Sequence, residues 1–271
     1  MKKIVITVNN TKPDAEEASK KLKNMLEKRG ATVIVSDKAV FEDGVSLYIS
    51  LGGDGSLLRL ASSLLAEKID VPVLGINIGH VGYMSQIDFE KCEEADIEKL
   101  FNGDCAVEER MVLQTEVKRK GETVFKGRAL NDFVILRSHE THMSEYRLFI
   151  GEKTPLEYFA DGIIFATPIG STAYSLSAGG PVVDSALDAF IVTPICAHSL
   201  FSKPIVLSGE KEIKLTMNER SDSLIFAQND GVTVLKIEDG DEITISKSKN
   251  KLKMLRLGEP HLVGTLKAKL G

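Results

Sequence analysis

Cysteine is scarce in this chain: Cys92, Cys105 and Cys196 are widely separated and odd in number. They form neither a zinc-binding spacing nor a disulfide framework, so a reducing cytoplasm is the expected compartment. No apolar run approaches the length of a membrane span. The amino terminus, MKKIVITVNN, places two lysines before an apolar stretch. That stretch ends at Val8, shorter than the apolar region of a signal peptide, and reads as a first β-strand. Basic residues are not in excess either. A formal net charge of -5 argues against non-specific nucleic-acid binding, which needs a basic footprint, but leaves room for a local basic pocket. Neither a GxGxxG fingerprint nor a GxxxxGK[ST] loop occurs, which removes both standard phosphate-binding mechanisms. Repeats and low-complexity segments are absent too. His139 and His142, with Glu140 between them, lack a third ligand at a sensible spacing, so they read as loop histidines and not as a zinc pair.

What is present is ordinary in bulk and uneven in texture. With 271 residues, 43% hydrophobic and 27% charged, the chain is long enough for two domains with sizeable cores. The first hundred residues alternate β and α. Ile4–Val8, Ala31–Val35, Val45–Leu51 and Val71–Ile76 are strand-like. Asp14–Arg29 carries Ala15, Ala18, Leu22, Met25 and Leu26 on one helical face and is stopped by Gly30. Such alternation implies parallel βαβ units. Beyond about Asp104 short strand-like runs follow one another with little helix: Leu113–Arg119, Thr123–Lys126, Leu130–Leu136, Arg147–Ile150, Ile205–Leu207, Glu212–Met217, Leu224–Ala227, Val232–Ile237 and Glu242–Lys247. This suggests an antiparallel sandwich. The expected architecture is therefore an α/β amino-terminal domain (1–104), Rossmann-like with a parallel sheet, followed by an all-β domain (105–249), a sandwich of short strands. The tail, 250–271, has a weak helical pattern over Pro260–Leu270 and is expected to pack back on the first domain.

The chain is organised around VSLYISLGGDGSLLRL at 45–60, a strand, a glycine turn and a helix start. In α/β proteins this junction lies at the carboxyl end of a strand, where ligands bind. Gly52, Gly53 and Gly55 let a phosphate approach the backbone and its N–H groups. Asp54 in their midst is suited to take a proton or approach a metal. Arg59, about one helical turn on, is a candidate for a ligand phosphate or simply a solvated helix residue. A second glycine-rich turn, Gly75 to Met84, follows the next strand, and its Tyr83 suits stacking on a base or ribose. Asn131 and Asp132 interrupt an apolar run with groups suited to sugar hydroxyls. Residues 161–181, DGIIFATPIGSTAYSLSAGGP, are rich in small and hydroxyl side chains. This stretch is expected to contribute little core and yet to be buried against something, with Asp161 and Tyr174 suited to an adenosine-type ligand.

These stretches in this order resemble the NAD kinase family, which phosphorylates the 2′-hydroxyl of the adenosine ribose of NAD to give NADP. The matching segments are Gly52-Gly-Asp-Gly55, Asn77-x-Gly79-x-x-Gly82-Tyr83, Asn131-Asp132, and Thr167-Pro-Ile-Gly-Ser-Thr-Ala-Tyr174 with Ser177-Ala-Gly-Gly180. GGDG alone is shared with diacylglycerol and sphingosine kinases and phosphofructokinase-like enzymes, whereas the long stretch is far more specific. The resemblance implies Asp54 as general base and Gly52, Gly53 and Gly55 bordering phosphates. It implies Asn131 and Asp132 on NAD hydroxyls, Arg59 as a candidate for an NAD phosphate, and Asp161, Thr172, Ala173, Tyr174 and Ser177 around the adenosine or nicotinamide ends. It further implies ATP as donor, Mg²⁺ held mainly by the ATP phosphates, and a homodimer or homotetramer without nucleic-acid or membrane partners. Ile169, Met84 and Val232 depart from the family's usual residues, and none is the expected base. Two other classes share single features: a lipid kinase, which needs an acyl channel or membrane-binding face, and a non-catalytic dinucleotide-binding regulator, which has no use for a carboxylate in the glycine turn.

Overall fold

The computed structural model describes residues 2–79, 82–85, 87–139, 141–151, 153–198, 202–218 and 224–258. The expected helical pattern at Pro260–Leu270 and Glu140 of the histidine pair lie outside the described residues. The chain divides into two compact units, Met1–Arg110 with Leu252–Gly271, and Met111–Lys251.

The first unit is built on β1 (Lys3–Val8), α1 (Ala15–Glu27), β2 (Thr32–Ser36), β3 (Val45–Gly52), α2 (Asp54–Ala66), β4 (Val73–Asn77), a two-residue β5 (Ile87–Asp88), α3 (Glu94–Asn102) and β6 (Ala106–Arg110). Strands β2-β1-β3-β4 lie side by side and parallel. β1, β3 and β4 are buried almost throughout, and this explains their continuous apolar sequences: a parallel sheet is covered on both faces. One face carries Ile4, Ile6, Val8, Leu47, Ile49 and Leu51 against Leu22 and Leu26 of α1 and Ile97 and Leu100 of α3. The buried side chains of α2, Leu57, Leu60, Ala61, Leu64 and Leu65, lie outside that cluster. This is the two-sided covering that right-handed crossovers produce. The far edge is completed by Leu252–Arg256, which returns between β4 and β6. Its Arg256 guanidinium pairs with Glu108 of β6 at 2.6 Å, and Arg110 pairs with the same carboxylate.

The second unit runs β7 (Leu113–Arg119), β8 (Glu122–Ala129), β9 (Asp132–Arg137), β10 (Ser144–Phe149), β11 (Leu156–Ala160), β12 (Gly162–Ala166), a 3₁₀ turn (Ile169–Thr172), a short α4 (Tyr174–Ser177), β13 (Ala189–Ile195), β14 (Ile205–Ser208), β15 (Ile213–Asn218), β16 (Ile225–Asn229), β17 (Val232–Ile237) and β18 (Glu242–Lys247), after which Leu252–Arg256 is β19. Two six-stranded antiparallel sheets form, β11-β10-β15-β18-β7-β8 and β14-β13-β12-β9-β16-β17. Their inner faces share one core, with Leu113, Tyr146, Leu148, Leu215 and Ile245 from the first and Phe133, Ile135, Ile163, Phe165 and Phe190 from the second. The second sheet is also covered outside: Val134, Ile164, Ala166 and Ile191 pack with Ala178 and Val183 of the segment that follows β12.

This double cover corrects the reading of 161–181 as a stretch poor in core. Gly162–Ala166 is a fully buried central strand, and the hydroxyls of Thr167, Ser171 and Ser175 are buried behind it. They are tolerated there because each is bonded. Ser171 donates to the Pro168 carbonyl at 2.6 Å, Ser175 shares a 2.8 Å bond with Thr193, and Thr167 donates to the Leu130 carbonyl.

Candidate active site

Gly53 caps α2 in extended geometry and Asp54 is the first helical residue, so its carboxylate leaves the carboxyl edge of the sheet beside the end of β4, where Gly52 pairs with Asn77. The turn after β4 grips that carboxylate. Tyr83 N–H donates to Oδ2 at 2.6 Å. Met84 N–H at 3.1 Å, Ser85 N–H at 3.2 Å and the Ser85 hydroxyl at 3.2 Å donate to Oδ1. Of the roughly four lone-pair directions a carboxylate offers, those of Oδ1 are fully used, while Oδ2 keeps one for another donor. The contact is close enough to demand glycine at 82, where a Cβ would lie 1.8 Å from Asp54 Oδ1. Gly52, Gly53, Asp54, Gly55 and Tyr83 are thus brought together. Exposed Arg59 lies farther along α2, with a long 3.4 Å bond to Ser56 Oγ.

The second unit gathers the remaining residues at the start of β9. Asp132 is 5% exposed, and its carboxyl is pushed up to about 7, first by loss of solvent and then by the neighbouring charge of Asp230. Asp230, which the sequence gives little reason to single out, clamps this corner. In the left-handed conformation at the tip of the β16–β17 hairpin, its carboxylate accepts the N–H groups of Leu130 (2.9 Å), Asn131 (2.8 Å) and Asp132 (3.2 Å). Its own N–H donates to the Asp132 carbonyl at 2.9 Å. From the other side Thr167 N–H bonds the Asn131 carbonyl at 2.9 Å. Gly170 sits so near that a Cβ there would lie 2.0 Å from the same oxygen.

Asp161 is held by Arg137 at 2.7 Å, whose guanidinium also bonds the Ser138 and Thr141 carbonyls. Tyr174 is exposed on α4. Its hydroxyl is raised by burial and then by the charges of Cys196, Asp132 and Asp161, which places it in the field of both carboxylates. Thr172, Ala173 and Ser177 ride on the same segment. Thr172 bonds back to the Ile169 carbonyl at 3.1 Å and Ser177 is exposed. Among the three departures, Ile169 and Met84 are buried and Val232 is exposed at the hairpin tip.

Among the described residues no three His, Cys, Asp or Glu side chains converge to hold a metal ion, and the bonds on Oδ1 of Asp54 leave little for a cation to replace. The described residues offer no cage for a resident metal. A divalent cation that arrives on substrate phosphates needs only one or two protein oxygens.

The chain matches known proteins over most of its length. The family models of the ATP-NAD kinase N-terminal domain and C-terminal domain match residues 37–105 and 130–257. An NAD kinase of Caldanaerobacter subterraneus subsp. tengcongensis is 34% identical over 284 residues, covering 100% of this chain and 99% of that one. The chain belongs to the NAD kinase family. An NAD kinase of Legionella pneumophila (strain Corby) is 38% identical over 83% of this chain and 75% of its own. Among solved structures, a yeast NADH kinase complexed with NADH superimposes with a TM-score of 0.87 at 24% identity, covering 100% of this chain and 88% of that one, a likeness of fold. An NAD kinase from Archaeoglobus fulgidus in complex with ATP gives a TM-score of 0.78 at 26% identity, with 99% of both chains covered. Against this family background the role of Asp230 went unseen because it acts on backbone N–H groups about a hundred residues earlier in the chain. Its one sequence signal is the Asp-Gly pair of a two-residue hairpin.

Proposed function

We propose that this NAD kinase transfers the γ-phosphate of ATP to the 2′-hydroxyl of the adenosine ribose of NAD, giving NADP, with Asp54 accepting the hydroxyl proton. The observation that carries the residue assignment is the grip on Asp54. A carboxylate fixed by four donors at a glycine turn, with one lone pair of Oδ2 unused, is oriented for a single further hydrogen bond. Phosphoryl transfer needs alignment and charge neutralisation more than covalent chemistry from the protein. The magnesium ion enters with ATP as part of the substrate and supplies the positive charge. Gly52, Gly53 and Gly55 border the phosphates, since without Cβ atoms they admit close approach. On NAD, Asn131 and Asp132 meet hydroxyl groups. A carboxyl near neutrality both donates and accepts, which suits Asp132 to that task. Asp161, Thr172, Ala173, Tyr174 and Ser177 surround the base-bearing ends. We further assign the protein to the cytoplasm as a homodimer or homotetramer.

The test is a coupled assay of NADP formation from NAD and MgATP. Wild type produces NADP; Asp54→Asn loses roughly 10²–10⁴-fold in kcat while NAD still binds by calorimetry. Near-normal turnover in that variant removes Asp54 as the base. Absence of NADP from the wild type with any donor removes the reaction.

A further inference from the structure

Arg137 is the last residue of β9, and its guanidinium has a different partner on each edge. Nε donates to Asp161 Oδ1 at 2.7 Å. On the far side Nη1 donates to the carbonyls of Ser138 at 2.9 Å and Thr141 at 2.6 Å, which braces the turn after β9. The backbone repeats the tie: Arg137 N–H bonds the Asp161 carbonyl and Asp161 N–H bonds the Ile195 carbonyl, each at 3.0 Å. The planar guanidinium is therefore fixed, and its third nitrogen with it. In the rigid fork of an arginine one N–H of Nη2 runs parallel to Nε–H, so Nη2 stands beside the Asp161 carboxylate. Among the described residues neither Nη2 nor Asp161 Oδ2 has a hydrogen-bond partner, and each side chain is 22% exposed. An unused donor and an unused acceptor thus lie next to each other within reach of a ligand.

The pair is remote from the Asn131–Asp132 corner. Ala166 of β12 lies opposite Asp132, and Gly162 lies opposite Leu136. Arg137 is therefore five residues along β9 from Asp132, roughly 17 Å at about 3.4 Å per residue. A single sugar does not span such a length. A dinucleotide, two nucleosides joined by a pyrophosphate, does when extended.

We propose that Arg137 is a specificity-determining residue of the dinucleotide site: it occupies Oδ1 of Asp161, leaves Oδ2 for the ligand, and sets its own Nη2 alongside as a donor. This role rests on the kinase reading, which puts Asp161 at a base-bearing end of NAD, and adds to it the chemical pattern that is read there. An acceptor beside a donor matches an amino group beside an acceptor atom. NAD carries that pattern in the primary carboxamide of nicotinamide and on the edge of adenine that bears its amino group and N1. The face mismatches a carboxylate in place of the carboxamide, which sets a negative charge against Asp161. It equally mismatches a 6-oxopurine in place of adenine, whose carbonyl and N1–H reverse donor and acceptor.

Calorimetry and steady-state kinetics with NAD, its nicotinate analogue and its hypoxanthine analogue test this and identify the end that is read. Wild type is expected to bind one of the two analogues roughly ten- to hundredfold more weakly than NAD, the range for losing one bond to a charged group. Arg137→Ala weakens NAD by a similar factor, raises KM for NAD and not for ATP, and narrows the preference for NAD over that analogue. Arg137→Lys keeps the charge without the fork and recovers little of the preference. Asp161→Asn keeps an oxygen for Nε but replaces the unused acceptor by an NH₂ donor, so the preference shrinks further or reverses. A bridge that serves only the fold changes the melting temperature and leaves the preference as it was. If Arg137→Ala does not fold, the preference measured on Arg137→Lys decides in its place. Wild type binding both analogues as tightly as NAD overturns the role of Arg137, and so does a preference unchanged by substitution of Arg137, whether or not Asp161→Asn alters it. If NADP forms under those outcomes, the kinase reading stands without it. If the variants lose the preference but wild type forms no NADP, the pair stands as a dinucleotide reader and the kinase reading falls. No binding of NAD to the wild type overturns both.

Discussion

Two carboxylates of this chain are handled in opposite ways by their surroundings. Asp54 is surrounded by N–H and O–H donors, whereas Asp132 is stripped of water and set beside a like charge. The second arrangement has a consequence for stability. The Asp132 carboxyl is held at about 7 in the folded chain, against an ordinary value of 3.8. Below about pH 4 it is protonated folded or unfolded and contributes nothing. Between about 4 and 7 the unfolded chain releases its proton while the native chain retains it, so stability falls as pH rises, and above about 7 the loss is complete. Its size is on the order of a few kcal/mol. Asp132→Asn removes the titration. Its melting temperature, measured from pH 4 to 8, is expected to gain on the wild type between about pH 4 and 7 and then to hold that lead. A wild-type-to-variant difference that stays flat with pH would show that Asp132 does not titrate in this way.

At the scale of elements, the glycine turns act as fittings between strands and the carboxylates they hold. Gly82 is the sharpest case, since a methyl there occupies the space of Asp54 Oδ1. Gly82→Ala must displace the carboxylate or the turn, so its kcat is expected to fall as far as that of Asp54→Asn. The effect should be non-additive: the double variant is no slower than Asp54→Asn alone, because both changes remove one interaction. Kinetic losses that multiply would mean that Gly82 acts elsewhere. Such fittings explain how far the sequence is legible. The strand–glycine–helix unit at 45–60 is visible because every part of it is local, and the sandwich strands β7, β17 and β18 show in their alternation. The clamp of residues 83–85 on Asp54 and that of Asp230 on residues 130–132 join positions about thirty and a hundred residues apart through backbone N–H groups, which leave no trace in residue type. Gly162–Ala166 and Ala189–Ile195 are hidden for another reason: a strand covered on both faces has no alternation to read.

For the molecule as a whole, the telling feature is that the first unit is closed by the end of the chain. Leu252–Arg256 is poorly marked as a strand, because the alternation of Leu252 and Met254 with Lys251 and Lys253 breaks at Leu255 after only two apolar positions. Yet it sits between β4 and β6 and so has neighbours on both sides. Leu252, Met254 and Leu257 are at most 8% exposed, and burying each such side chain contributes about 1.5–3 kcal/mol. Together they match much of the 5–15 kcal/mol that holds a typical domain. Their loss would also strip β4 of a partner and leave β6 unpaired. Met111–Lys251, by contrast, has its own two-sheet core. A chain ending at Lys251 is therefore expected to retain the sandwich and lose the α/β unit. Limited proteolysis reads this directly: residues 1–110 are digested while a fragment beginning near Met111 resists, and hydrogen exchange shows protection confined to that fragment. Protection of β1, β3 and β4 equal to that of the intact protein would mean that the returning strand decorates an already stable sheet, and that the first unit needs nothing from the carboxyl terminus to fold.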